Sequence, residues 1–326
     1  MSEPIITVLM SVYNTKEEYL RTSIESILGQ TFDDFEFLIY DDASDEKTKA
    51  VLASYNDSRI VLITNEQNRG LTHNLNAGIK AARGKYIARM DADDISYPER
   101  LEKCFDCMEK QPETNILGTF VKIGNRIKKC GYGLSTDLRK ALCMIENPGL
   151  VHPSVMIRRS FFVDNNIYYD EHFRKSQDFD LWARCLEKTS LDIYPEVLLE
   201  YRVHGGQISR AGRGEQDSYA DEIKMRMIRK TGIDRDDACI LRFIRSRYNG
   251  EMDYNKYASF IHDMKNSNKK IKYYNNKAVR FIGNWYLFKY IKNNYDGIEK
   301  YKRLIGFLFL HNGVSFAYSL VRVGAE

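Results

Sequence analysis

Over roughly the first hundred positions, apolar residues come in short continuous runs. Between the runs they recur every three or four residues, as expected for a parallel sheet whose strands are joined by crossover helices. The runs Ile5 to Met10, Glu36 to Tyr40, Ile60 to Ile63 and Tyr86 to Met90 predict buried strands, and Glu17 to Leu28, Glu46 to Ser54 and Thr72 to Ala82 predict the helices between them. Pro98 stands where a further helix through Met108 can begin, because the first helical position needs no backbone donor. Later the pattern loosens. Ile116 to Ile123, Ser154 to Ile157 and Val197 to Val203 read as strands of a mixed or smaller sheet, with helices near Leu138 to Ile145 and Asp178 to Glu187.

From about residue 215 strand signals fade, and helical spacing runs through Ala220 to Arg229, Cys239 to Tyr248 and Tyr254 to Met264. The Gly-rich stretch Ala211-Gly212-Arg213-Gly214 marks the expected boundary, dividing the chain into residues 1–212 and a helical region of residues 213–326. The apolar run Leu304 to Leu310 is cut by His311-Asn312-Gly313 and is too short to cross a membrane.

Composition narrows the class. A chain of 326 residues accommodates one α/β region and a smaller appendage. With 43% hydrophobic and 29% charged residues it reads as globular rather than disordered. A formal charge of only +4 argues against nucleic acid as a partner. Met1-Ser2-Glu3-Pro4 leads straight into a strand, with no basic and then apolar leader, so a cytoplasmic protein is expected. The six cysteines are scattered, as reduced thiols would be. Cys104 and Cys107 form a lone CxxC with no second pair to complete a zinc site, and they read as buried thiols.

In a parallel α/β sheet, ligands sit beyond the carboxyl ends of the strands. Those ends are polar here: Ser11-Val12-Tyr13-Asn14, Asp41-Asp42-Ala43-Ser44-Asp45, Asn65 to Gly70, and Asp91-Ala92-Asp93-Asp94. An acidic loop directly after a buried strand offers hard oxygen ligands to a divalent cation that can also take diphosphate oxygens. Aspartate is equally at home in turns and at helix N-termini, and Asp94 in particular could cap a following helix. The second acidic loop beside it favours the metal reading.

These segments, together with Asn68-Arg69-Gly70-Leu71 and Leu75-Asn76-Ala77-Gly78, resemble in order and spacing the signatures of glycosyltransferase family 2, over roughly residues 5 to 210. The resemblance implies an α/β GT-A fold (nucleotide-diphospho-sugar transferase, Rossmann-like) with a mixed central sheet, followed by the smaller helical C-terminal region. It implies an inverting transfer from a nucleotide-sugar donor, UDP-linked, to an acceptor hydroxyl of a glycan or lipid-linked glycan, in surface-polysaccharide synthesis of a bacterial type. By the same resemblance Tyr13 flanks the base with Ser11 close by, Asp42 accepts from uracil N3, Asp91 holds ribose and sugar hydroxyls, and Asp93 binds Mn²⁺ or Mg²⁺. Arg69 joins this donor set, although its turn could equally be a helix cap.

Ser176-Gln177-Asp178-Phe179-Asp180-Leu181-Trp182 resembles the family segment that holds the general base, which assigns that role to Asp178. Gln177 stands where the family often has Glu, and the lost charge should lower the pKa of its neighbour relative to an adjacent pair of carboxylates. Asp178 can at the same time be the N-cap of the helix carrying Trp182. Val151-His152-Pro153-Ser154 and Tyr201-Arg202-Val203-His204 also fit the family outline. His204 could complete the metal shell or touch the diphosphate, and Arg202 or Arg210 could neutralise a leaving phosphate. Gly205 and Gly206 would let this segment close as a lid.

Two rival readings account for less of this pattern. A sugar-nucleotide pyrophosphorylase would carry a Gly-rich loop after the first strand, where Ser11-Val12-Tyr13-Asn14 has no glycine. A non-catalytic carbohydrate-binding protein on the same fold would not need Asp42, Asp91, Asp93 and Asp178 together. Near the C-terminus, Tyr273, Tyr274, Trp285, Tyr286, Phe288 and Tyr290 read as a helical core, or as sugar or membrane contacts. The lysine-rich stretch Lys265 to Lys272 could meet anionic lipid at the inner face of the membrane or a lipid-diphosphate acceptor, and a solvated face explains it equally well.

Overall fold

The computed structural model describes residues 3–204 and 213–310. They divide into two compact units, one of residues 1–132 with 150–212 and the other of residues 133–149 with 213–326. Residues 133–149, read from sequence as part of a contiguous first region, are therefore an excursion into the second unit. Residues 205–212, which carry the expected lid glycines, Arg210 and most of the boundary stretch, lie outside the described residues.

The first unit begins with β1 (Ile6–Val12), α1 (Glu17–Leu28), β2 (Phe35–Asp41), α2 (Glu46–Ala53), β3 (Ile60–Thr64), α3 (Leu71–Ala81) and β4 (Tyr86–Asp91). These match the predicted elements to within a residue or two, because β1, β2 and β4 are runs of largely core residues; every residue of β2, for example, is buried. β3 corrects the expectation of a buried strand: none of its residues is buried, because it lies at the edge of the sheet. Then follow β5 (Ile95–Ser96), α4 (Arg100–Lys110), β6 (Ile116–Ile123) and β7 (Arg126–Lys128). Between β7 and the rest of this unit, α5 (Thr136–Leu142) belongs to the excursion. The unit ends with β8 (Met156–Arg158), α6 (Arg159–Asn165), α7 (Gln177–Cys185) and β9 (Asp192–Tyr201). Periodicity misses β5, β7 and α6 because two to seven residues are too few to show a period.

The nine strands of the described residues form one sheet in the order β3-β2-β1-β4-β8-β6-β9-β5, with β7 paired on β6. β1, β2, β3 and β4 are mutually parallel, whereas β8 runs antiparallel to both β4 and β6. The sheet is therefore mixed. The chain steps from β1 outward to β2 and β3, then returns to the other side of β1 as β4. That reversal opens a crevice beyond the carboxyl ends of β1 and β4. Register places Ser11 directly beside Asp91 across this pair. Gly78 lets α3 lie close against β1, since a Cβ there would come within 2.2 Å of a Leu9 methyl carbon.

The second unit comprises α5 and α8 (Arg213–Arg229), α9 (Asp237–Asn249), α10 (Tyr254–Ile271), α11 (Asn276–Asn294) and α12 (Gly297–Leu310). Asp236, Asp253 and Asn275 cap α9, α10 and α11 by accepting backbone N–H groups, the role that short polar side chains fill at N-termini. Its core is aromatic: Phe243 stacks on Phe260 at 4.0 Å and on Tyr257 at 4.6 Å, with Trp285, Tyr286 and Tyr290 buried beside them. The Tyr290 hydroxyl donates to the Met252 carbonyl at 2.7 Å and that of Tyr286 to the Met144 carbonyl, so the phenols are buried with partners. No helix among the described residues is long and apolar enough to cross a membrane.

Candidate active site

The loops after β1, β2 and β3 are fastened to one another by side chains. Asn14 sits in the left-handed region (φ 47), its N–H donates to Ser44 Oγ at 3.2 Å, and its side-chain oxygen accepts from the Asp45 N–H at 2.8 Å. Asp42, only 2% exposed, accepts from the Arg69 and Gly70 N–H groups and from Asn65 Nδ2, all at 2.8 Å. Asn65 also donates to Asn74, which donates to Ser11 Oγ at 3.0 Å. Burial alone would raise the Asp42 carboxyl, but these hydrogen bonds to its charged form hold it below the usual range.

Asp42 is thus the anchor of the turn 65–70, in which Gly70 takes a φ of 87 and serves as the N-cap of α3. Arg69 contributes its backbone to that anchor and leaves its side chain exposed. Tyr13 is 53% exposed at the rim.

The acidic loop after β4 draws together Asp91, Asp93 and Asp94, with one carboxylate oxygen from each within 4.8 Å of the others. Asp94 is not a helix cap, since α4 begins six residues later with Glu99 as its N-cap. Instead it is wholly buried in the cluster. Its Oδ1 accepts the Arg202 N–H at 3.0 Å, and its Oδ2 has no hydrogen-bond partner among the described residues. Burial, and then Asp91 and Asp93, push this carboxyl up to about 9.

Arg89, 2% exposed on β4, pairs with Asp91 Oδ1 and opposes the upward push of burial on that carboxyl. The Ser23 hydroxyl holds the Asp91 carbonyl at 2.8 Å. A hard-oxygen cluster of two partly exposed carboxylates and one buried one, with an orphaned carboxylate oxygen, suits a divalent cation. The donor set fits the metal that the resemblance implies.

The end of β9 closes over this loop. His204 Nε2 lies 2.9 Å from Asp93 Oδ2, and its ring stacks on Tyr19 at 4.6 Å. The Arg202 guanidinium lies 4.8 Å from the centre of the same Tyr19 ring, donating to the Tyr19 carbonyl at 2.8 Å and to the carbonyl of Asp93. It braces the acidic loop through main-chain oxygens.

Asp178 stands in the first turn of α7. The N-cap is Ser176, in the left-handed conformation, so the expectation that Asp178 is itself the cap is corrected. Asp180, the neighbouring carboxylate, is fully buried in an ion pair with Arg184 at 2.6 Å and serves the helix. Trp182 packs edge-on to His152 at 6.2 Å, and His152 Nε2 meets the Tyr169 hydroxyl at 2.7 Å. Burial and then Arg89 push His152 well below its ordinary value, leaving a neutral ring. Burial raises the Tyr169 phenol, with Asp178 and Asp91 both adding to the rise, so this one buried side chain feels both carboxylates.

Four contributors escaped the sequence reading. Arg89 had a signal, as the one charged residue inside the run Tyr86 to Met90. Asn65 and Asn74 had a weaker one. Tyr19 had none, because nothing on α1 marks the side of a helix that will meet a strand end nearly two hundred residues later.

The family model described as Glycosyl transferase family 2 matches residues 7–164. An uncharacterized glycosyltransferase of Methanocaldococcus jannaschii is 36% identical over 232 residues, spanning 69% of this chain and 76% of that protein. The O-antigen biosynthesis glycosyltransferase WbnJ of Escherichia coli is 29% identical over 253 residues, spanning 74% of this chain and 96% of that one. Among solved structures, S. aureus TarS 1–349 in complex with UDP-GlcNAc matches with a TM-score of 0.61 at 16% identity, covering 94% of this chain and 92% of that chain. At that identity the likeness is one of fold.

Proposed function

The chain belongs to glycosyl transferase family 2, is a glycosyltransferase and has the GT-A fold, and on that premise we propose that it transfers a sugar with inversion from a UDP-sugar to a glycan hydroxyl in polysaccharide biosynthesis. The observation that carries the reading is the carboxylate cluster Asp91, Asp93 and Asp94 at the crevice where the strand order reverses, which is where an α/β sheet binds nucleotides. The UDP-GlcNAc held by TarS and the O-antigen role in the name of WbnJ support the donor class and the pathway class.

In this reading Tyr13 and the Asp42-anchored turn take the uridine, and Asp91, oriented by Arg89, takes ribose and sugar hydroxyls. Asp93, with His204 and Asp94, would hold Mn²⁺ or Mg²⁺, which when bound supplies Lewis-acid charge opposite a leaving diphosphate. Asp178 accepts the proton of the acceptor hydroxyl as its oxygen bonds to the anomeric carbon and the bond from that carbon to the diphosphate oxygen breaks. Arg202 keeps the acidic loop in place and would add positive charge near the phosphates.

The test is a panel of nucleotide sugars with the purified chain and Mn²⁺ or Mg²⁺, read as released nucleotide, with product anomeric configuration read by NMR. UDP release that depends on acceptor and metal, with an inverted product, is expected. Tight UDP binding without turnover on any donor would favour the non-catalytic reading, and a retained configuration would remove Asp178 as base.

A further inference from the structure

Between Asp263 and Asp296 the chain contains no Asp or Glu, while Lys or Arg stands at eight positions, twice the formal net charge of the whole chain. Six of these cations, Lys265, Lys269, Lys270, Lys272, Lys277 and Arg280, cluster at the C-terminal end of α10 and the start of α11. None of the six enters an ion pair among the described residues. Elsewhere in the same unit several basic side chains are answered by carboxylates: Arg235 by Asp263, Arg245 by Asp221, Lys256 by Asp253.

Three of them meet where the two helices pack. Lys265 and Lys269 are one turn apart, and the Lys265 ammonium reaches across to Asn284 Oδ1 of α11 at 3.0 Å, one turn on from Arg280. Arg280 and Lys269 both act on it, and burial followed by these two like charges pushes the Lys265 ammonium down to about 8. A folded protein that keeps such repulsion unanswered has left room for external negative charge.

In the middle of this patch, between Lys270 and Lys272, Ile271 is 59% exposed. A large apolar side chain surrounded by cations suits an interface that is anionic at its surface and apolar just beneath. A dissolved polyanion offers the charge and nothing for the isoleucine.

We propose that the junction of α10 and α11 is a docking surface for an anionic lipid bilayer, with Lys269, Lys270, Lys272 and Arg280 meeting headgroup phosphates and Ile271 entering the headgroup boundary. The attraction is electrostatic and is screened by salt within a Debye length. The surface gives the chain a way to lie on a membrane without a spanning helix.

The test is co-sedimentation of the full chain with vesicles of phosphatidylcholine alone or mixed with phosphatidylglycerol, at low and high salt. Binding to the anionic vesicles only, weakened by salt, is expected. K269Q with R280Q should weaken it roughly 25-fold, at roughly fivefold for each surface charge removed, and I271S should weaken it further. Helical content and UDP affinity of these variants should stay at the wild-type level, since the altered side chains are exposed or line no part of the active site. Equal binding to neutral vesicles, no binding to anionic ones, or unchanged binding by the double variant would overturn the proposal. Tight capture by heparin with I271S silent would also overturn it, in favour of a soluble polyanion.

Discussion

Replacing Asp42 by Ala tests whether this residue builds the nucleotide site or merely touches the nucleotide. The carboxylate is buried and accepts three hydrogen bonds at 2.8 Å, two from main-chain N–H groups of the 65–70 turn and one from Asn65. Bonds to a charged acceptor contribute about 1.5–3 kcal/mol each, and three that share one group overlap, so the loss is about 4 kcal/mol. For a unit of this size that lowers Tm by roughly 10 °C. UDP affinity should fall as well, because the freed turn no longer presents its side of the crevice. Asp42→Asn keeps the shape but turns a donor toward a backbone N–H, so it should recover only part of the loss. Scanning calorimetry with and without UDP reads both effects. A Tm within a degree of wild type, with weak UDP binding, would refute the anchoring argument and leave only the contact to the base. The sign with pH follows from the depressed Asp42 carboxyl: its contribution is fully present above the ordinary carboxylate range and is lost as pH falls through the depressed value. Wild-type Tm should therefore drop more than that of Asp42→Ala on acidification.

Asp178→Asn should lower kcat by about 10²- to 10⁴-fold with UDP affinity nearly unchanged, since the amide cannot take a proton; near-normal turnover would move the base elsewhere. Asp93→Ala should abolish metal-stimulated turnover without unfolding the protein, because the residue is a partly exposed loop residue outside the core; a wild-type rate in this variant, or a rate indifferent to chelator, would end the metal role. Tyr19→Leu should raise the metal concentration needed for half-maximal rate by roughly tenfold, as expected when the support of a ligand is removed, while Tyr19→Phe keeps the stack on His204 and should behave as wild type. An equal response of both variants would make Tyr19 a packing residue only.

By itself the amino-acid sequence determined the strands and helices of the first ninety residues, because a buried parallel strand must be a short apolar run and each crossover helix must repeat every three to four residues. The same rule put Ser11, Asp42 and Asp91 at strand ends, where α/β sheets bind their ligands. The acidic loop was legible too, because it follows a core strand and stands beside a second acidic loop, although aspartate alone serves turns and caps as readily. What the sequence could not carry is any relation between faces far apart in the chain. Only the tertiary structure decided that Asp94 turns inward to join Asp91 and Asp93 rather than capping a helix, that Asp42 faces its own neighbouring turn, and that Tyr19 lies under Arg202 and His204. The same holds for residues 133–149. They have an ordinary amphipathic pattern, and their place in the helical unit was fixed by Tyr286, 142 residues after Met144, whose buried hydroxyl needed that carbonyl as its partner. Periodicity reports which side of an element is buried, whereas the partner that buries it is chosen by packing and by the requirement that buried polar groups be satisfied.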